Sequence, residues 1–318
     1  MMRISLEQAS YELKEGRVVA VPTETVYGLA ASLSHPQAIQ RIFDLKNRPP
    51  NNPLIIHIST ANQIDTYASE LPPHFDTLAR SFWPGPMTLI IPIQPDLIHE
   101  SVRANLKTAG FRIPQHSLAK KLIDLTGPLV MPSANLSGRP SSTSPEHVES
   151  DFGVEFPVLD GGTCRKGLES TILGWIDDKW VIFRSGALSP VEFESVLGYE
   201  PIIMTHIKGK DPVCPGQLFR HYSPRAKLLL SDAMHIDAAQ IENASCILGF
   251  KERSYPHNKL IFILGSLNNA EEVAHNLYHV LRQLDEENMP SAWVDMNFPS
   301  DGLWITIAER LNRAGQAP

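Results

Sequence analysis

The chain has 318 residues, a formal charge of −7, 42% hydrophobic residues and three cysteines. That length suggests about two domains, and the apolar fraction is ample for packed cores, which excludes wholesale disorder. The acidic balance argues against a protein that coats nucleic acid, but leaves room for a small basic pocket. Cys164, Cys214 and Cys246 are far apart and form no CxxC pair, so neither a disulfide scaffold nor a zinc ribbon is expected. No segment approaches the roughly 20 apolar residues of a membrane span, and the first residues lack the apolar core of a signal peptide. A soluble, cytoplasmic protein without a membrane partner is the expectation.

Ile4, Leu6, Ala9 and Leu13 are spaced for an amphipathic first helix, with Ser5 and Gln8 placed for a capping box. Gly16 ends it, and 17–22 reads as a buried strand. Pro36 opens a second helix with an apolar face of Ala38, Ile39, Ile42, Phe43 and Leu45; it should end near Asn47, ahead of Pro49. Apolar strands are expected at 54–58, 87–93, 110–113, 129–132, 158–160, 170–173 and 180–183. Helices are expected at 117–125 and from Ser189-Pro190 to Gly198. Strands and helices mingle without a strict βαβ rhythm, which predicts an α/β domain on a mixed twisted sheet over residues 1–205. Residues 206–226 have no sustained period and read as a linker. Regular patterning returns over 227–318 as a smaller α/β domain, with a long helix near 270–287. The first 205 residues hold 17 basic and 22 acidic side chains, the remainder 11 and 13, so neither part is a basic nucleic-acid module.

A recurring pattern marks the first domain: an apolar run ends and two polar side chains follow at i, i+2, on one face of extended chain. Thr23 and Thr25 follow VVAVP, and Ser133 and Asn135 follow PLVMP. Lys46 and Arg48 stand where a helix gives way to extended chain. Asn52 leads into the strand in which His57 faces opposite Leu54, Ile56 and Ile58, and Arg112 faces away from Phe111 and Ile113. Guanidinium forks grip carboxylate or phosphate and lysine acts as a point charge, so the set suits a phosphorylated, carboxylate-bearing ligand. Each piece also has a plain structural reading: strand-end hydroxyls, a basic helix terminus, a core histidine. The sequence contains no GxGxxG, Walker, GxSxG or HExxH motif.

Order and spacing add what the pieces lack. PTETVYGL (22–29), KNRPPNNPLIIHI (46–58), FWPGPMTLI (82–90), GFRIP (110–114), PSANLSG (132–138), ESTI (169–172) and FRSGA (183–187) resemble, in sequence order, the YrdC-like threonylcarbamoyl-adenylate synthases. PGQLFRHYSP (215–224) resembles the linker of the long, two-domain form. Pro50-Asn51 departs from the small or acidic residues expected there.

The resemblance implies a YrdC-like catalytic domain and a small Rossmann-like C-terminal domain. It also implies a nucleotidyltransferase that joins L-threonine, bicarbonate or CO2, and ATP into threonylcarbamoyl-AMP, releasing pyrophosphate. A separate transferase would carry the group to tRNA beside the anticodon, so tRNA is met only indirectly. Carried over by position, Thr25, His57, Arg112, Ser133 and Ser170 line the threonine side, with Arg112 on the carboxylate. Arg48, Asn52, Thr108, Asn135, Thr143, Arg184 and Tyr222 hold ATP, Lys46 faces the phosphates and stabilises charge as pyrophosphate leaves, Lys46 and Arg48 are the implied catalytic residues, and Mg2+ rides on the triphosphate. Tyr222 suggests that the linker folds over the pocket as a lid. Two other classes compete with this one: an RNA-binding or ribosome-maturation protein, and a carbamoyl-phosphate-dependent carbamoyltransferase.

Overall fold

In the computed structural model the capping box forms as expected. Ser5 Oγ accepts the Gln8 N–H at 3.2 Å and Gln8 Oε1 accepts the Ser5 N–H at 2.9 Å. The structure describes residues 2–204, 214, 222–231 and 238–316, so most of the expected linker and lid at 206–226 lies outside the described residues.

The strands of the first domain are β1 (Arg3–Ile4), β2 (Val19–Val21), β3 (Gly28–Ser32), β4 (Ile55–His57), β5 (Met87–Pro92), β6 (Thr108–Arg112), β7 (Leu129–Val130), β8 (Val158–Leu159), β9 (Thr171–Ile176) and β10 (Lys179–Arg184). They form one sheet in the order β1-β8-β2-β3-β7-β4-β6-β5-β9-β10. β4 runs parallel to β6 and β5 parallel to β9, whereas β3/β7 and β5/β6 are antiparallel, so the sheet is mixed as expected.

The helices are α1 (Leu6–Lys14), α2 (Pro36–Lys46), α3 (Phe75–Phe82), α4 (Glu100–Arg103), α5 (Ser117–Thr126), α6 (Pro145–Phe152) and α7 (Val191–Leu197). Strand alternation distributes them over two faces. Val19, Val21, Ala30 and Leu129 pack with Ala9 and Leu13 of α1 and with Ala119, Leu122 and Ile123 of α5. Ala20, Leu29, Ala31 and Val130 pack on the other side with α2, α3 and α7. Pro36 opens α2, and Asn47 closes it in the left-handed conformation at φ 50°. The neighbourhood of β10 extends to residue 204, because Ile182 donates to Ile202 and accepts from Met204.

The second sheet holds β11 (Lys227–Leu230), β12 (Cys246–Phe250), β13 (Leu260–Gly265) and β14 (Ser291–Val294), ordered β11-β14-β12-β13 and parallel throughout. Its helices are α8 (Ala238–Asn243), α9 (Ala270–Glu286) and α10 (Trp304–Gly315). Cys246, Leu248 and Phe250 pack under α9 and α10, while Ile247 points to the opposite face with Trp293. Among the described residues no helix is long and apolar enough to cross a membrane.

Candidate active site

Parallel pairing of β4 with β6 puts His57 opposite Arg112, so both project from one face of the sheet into one pocket. The turn after β2 adds Thr25, and the turn after β7 adds Ser133 and Asn135. Ser170 precedes β9, Arg184 ends β10, and Arg48 and Tyr222 complete the expected set along the wall. Nine expected residues therefore converge from positions 25 to 222. Among the described residues the pocket is lined by four guanidinium groups, of Arg48, Arg112, Arg139 and Arg184, against one carboxylate, Glu169.

Local hydrogen bonds set what each group can offer. Thr23 Oγ1 donates to the Val26 carbonyl at 2.7 Å, which leaves Thr25 as the donor in the 2.8 Å contact between the two hydroxyls. Thr25 oxygen therefore faces the pocket as an acceptor. Burial, with the Arg112 charge nearby, holds His57 well below the usual imidazole range. Its Nδ1 lies 3.2 Å from the Ile55 carbonyl, so the neutral ring donates there and Nε2 keeps its lone pair. Arg112 donates through Nε to the Gly85 carbonyl at 3.2 Å, and its Nη2 lies 2.8 Å from Glu24 Oε2. That fork already serves a resident carboxylate, so a ligand meets only its remaining donors.

Arg48 is braced by the carbonyls of Asn52 (3.2 Å) and Pro53 (2.8 Å). Burial, with Arg184 close by, lowers its pKa to about 9. Arg184 donates to the Ser170 carbonyl (2.8 Å) and hydroxyl (3.1 Å), and Ser170 Oγ lies 2.8 Å from Thr88 Oγ1. Tyr222, backbone φ 68°, stacks on Tyr278 with ring centres 5.4 Å apart.

Four expected residues stand outside the lining. Lys46 is buried behind the wall, its ammonium donating to the carbonyls of Ser133 (2.5 Å) and Asn135. The last side chain of α2 is captured by the turn that it supports. Burial, then Arg48, pulls the Lys46 pKa well below the ordinary lysine value. Asn52 is buried, and its Oδ1 has no hydrogen-bond partner among the described residues. Thr108 lines an adjoining cavity that shares Leu54 and Ile55 with the main pocket. Thr143 lines a separate cavity between the domains, its N–H donating to His147 Nδ1 at 3.1 Å.

Sequence reasoning did not single out Glu24, Arg139, Ser141 or Glu169. Glu24 and Glu169 lie inside quoted motifs, one before Thr25 and one before Ser170, and their burial (3% and 6% exposed) was the missing signal. Glu169 accepts from Ser141 Oγ at 2.6 Å. Burial alone would raise its pKa, but Arg310 and Arg184 outweigh that and hold it below the usual carboxylate range.

A cationic pocket at the strand ends of a mixed sheet, backed by a parallel α/β unit, defines a two-domain YrdC-like enzyme. Residues 12–186 match the Sua5, YciO and YrdC family model, described as telomere recombination. Residues 188–315 match the threonylcarbamoyl-AMP synthase C-terminal domain. The threonylcarbamoyl-AMP synthase of Pyrococcus abyssi is 37% identical, over 95% of this chain and 91% of that protein. The synthase of Bacillus subtilis is 36% identical, over 97% and 92%. A crystal structure of Pyrococcus abyssi Sua5 complexed with L-threonine superposes with a TM-score of 0.88 at 35% identity, covering 99% of this chain and 96% of that one. The chain belongs to the threonylcarbamoyl-AMP synthase family, whose members are enzymes of the nucleotidyltransferase type.

Proposed function

We propose that the protein makes threonylcarbamoyl-AMP and pyrophosphate from L-threonine, bicarbonate or CO2, and ATP, and that a separate transferase uses the product to form threonylcarbamoyladenosine in tRNA. The observation that carries this reading is the convergence of Arg48, Arg112 and Arg184 with the acceptors Thr25 and His57 in one pocket. The Pyrococcus abyssi relative solved with L-threonine supports threonine as a ligand. We assign Thr25, His57, Arg112, Ser133 and Ser170 to threonine, and Arg48, Asn52, Asn135, Arg184 and Tyr222 to ATP. Thr108 and Thr143 remain proposed ATP contacts from the flanking cavities.

Chemically, the threonine amine forms a bond to the carbon of CO2 and loses a proton, or forms it to the carbon of bicarbonate while a C–O bond breaks and water leaves; either route gives a carbamate. A carbamate oxygen then forms a bond to the α-phosphorus of ATP while the bond to the pyrophosphate oxygen breaks. Such a displacement depends on positioning and charge neutralisation rather than on a covalent nucleophile. Thr25 Oγ1 and His57 Nε2 accept from the amine and hydroxyl of threonine, and Arg112 offers its remaining donors to the carboxylate. Arg48 and Arg184 neutralise phosphate charge. Lys46 acts at one remove, fixing the turn that carries Ser133 and Asn135.

Glu169 spends its carboxylate on Ser141, Tyr278 and Arg310, and Glu24 faces Arg112. These residues suit Mg2+ that arrives on the triphosphate oxygens rather than in a carboxylate cage. Bound there, the ion would offset phosphate charge.

Incubation with ATP, L-threonine and 13C-bicarbonate, followed by mass spectrometry, tests the reading. An adenylate carrying one 13C and the threonine mass is expected; an unlabelled adenylate, or none, overturns it.

A further inference from the structure

Tyr278, Arg282 and Asp285 fall at spacings of four and three on α9, so they share one stripe of the helix. That stripe meets the outer layer of the pocket. Tyr278 Oη lies 3.0 and 2.9 Å from the two oxygens of Glu169. Arg282 donates to the Pro140 carbonyl (2.6 Å) and Ser142 Oγ (3.2 Å) and pairs with Asp151 at 2.7 Å. Asp285 accepts from Arg139 at 3.2 Å and from the Arg225 N–H at 2.6 Å.

From α10, Arg310, fully buried, donates to Glu169 Oε2 (3.2 Å), to Tyr278 Oη (3.1 Å) and to the Ser185 carbonyl (2.7 Å). Its guanidinium lies 4.7 Å from the centre of the Tyr222 ring, which also stacks on Tyr278. The first-domain partners are pocket residues or their direct supports: Arg139, Ser141, Glu169 and Tyr222 line the cavity, and Ser185 follows Arg184. Apart from Asp151, which sits on α6, they belong to backbone outside strands and helices, which no ladder holds in place.

A buried ion pair such as Arg310–Glu169 contributes little net stability, because desolvation offsets the attraction. What it fixes is geometry. The threonine-side residues His57 and Arg112 need no such help, since neighbouring strands hold them.

We propose that Tyr278, Arg282 and Arg310 of the second domain are positioning residues that hold the 139–142 loop, Glu169 and Tyr222 in the arrangement that takes the nucleotide. The assignment to nucleotide rests on the function proposed above; the positioning itself does not.

The test uses full-length Tyr278→Phe, which removes one hydroxyl and keeps the aromatic stack, and Arg282→Lys, which keeps the charge and loses the fork. Amide hydrogen exchange without ligand is read at 139–142 and 168–171, with β12 as internal reference, and ATP and threonine affinities are measured by calorimetry. Exchange in the two wall segments should rise about tenfold or more while β12 keeps its protection. The ATP Kd should rise about tenfold and the threonine Kd, which shares only Ser170 with the loosened segments, by no more than about threefold. Unchanged wall exchange in both variants overturns the proposal, as does a uniform loss of protection that includes β12. If the walls loosen but the wild-type protein itself binds no ATP, positioning stands and the nucleotide reading falls.

Discussion

Arg112 and Glu24 face each other at 2.8 Å, both almost wholly buried, beside the imidazole of His57. The guanidinium that sequence reasoning assigned to a ligand carboxylate thus already has a carboxylate of the protein's own. Removing the arginine alone strands a buried charge, which costs about 3–5 kcal/mol where no compensation exists.

Arg112→Ala should therefore lower the thermal midpoint more than the double variant Glu24→Gln/Arg112→Ala. Both should raise the threonine KM by about tenfold or more, with the ATP KM changed less than about threefold. Steady-state kinetics with each substrate varied in turn checks this. Equal losses for both substrates would remove Arg112 from the threonine side.

Lys46→Met keeps much of the side-chain volume, takes the Lys46 donor from the Asn135 carbonyl and leaves the Ser133 carbonyl with the Asn135 N–H at 3.0 Å. A buried acceptor that loses its donor costs about 1–3 kcal/mol, so urea unfolding should show a loss of that order. Turnover should fall as the Ser133–Asn135 wall relaxes. A variant with wild-type stability and kinetics would refute the support role.

Gly186 in FRSGA passes so close to the ESTI segment that an added Cβ would stand 2.4 Å from the Ser170 carbonyl carbon and the Thr171 nitrogen. Backbone cannot yield as a flexible side chain can. Gly186→Ala should cost about 1–3 kcal/mol of stability and displace Ser170, raising the KM of a substrate held there. Unfolding curves and kinetics check both parts, and a neutral substitution would contradict the close packing.

His147 lies 3.3 Å from His279 across the domain boundary, and burial, with Arg282 and His279, lowers its pKa to about 3. An unfolded histidine titrates near 6.5, so between about 6.5 and 3 the unfolded state holds the extra proton. Stability should then decline with falling pH by up to about 1.4 kcal/mol per unit from this group, and His57 acts with the same sign. Denaturation at pH 7 and pH 5 should show a smaller decline in His147→Gln than in the wild type. Identical declines would contradict the assignment.

Much of the first domain was legible because its signals are local. Ser5 and Gln8 cap α1 from three residues apart, Pro36 and Asn47 bound α2, and alternation put His57 on the face opposite Ile56. β3 was not legible: Gly28–Ser32 has no alternating polar face, since it is buried on both sides. α3 and α6 were also missed; α6 carries only Pro145, His147 and Val148 as a buried face. Lys46 was placed in the right neighbourhood but aimed wrongly for this conformation, because its direction depends on carbonyls 87 and 89 residues away. Glu169 was hidden for the same reason, its partners Tyr278 and Arg310 being 109 and 141 residues distant. Local pattern finds which residues lie at strand ends; it does not show which buried charges close on one another.

The central claim is that one pocket couples threonine, an inorganic carbon source and ATP. Pyrophosphate release by the purified protein with ATP and Mg2+, omitting threonine or bicarbonate in turn, tests it most directly. The account predicts release that requires both co-substrates together. Release with ATP alone would describe a nucleotide hydrolase, and no release under any condition from demonstrably folded protein would contradict the account outright.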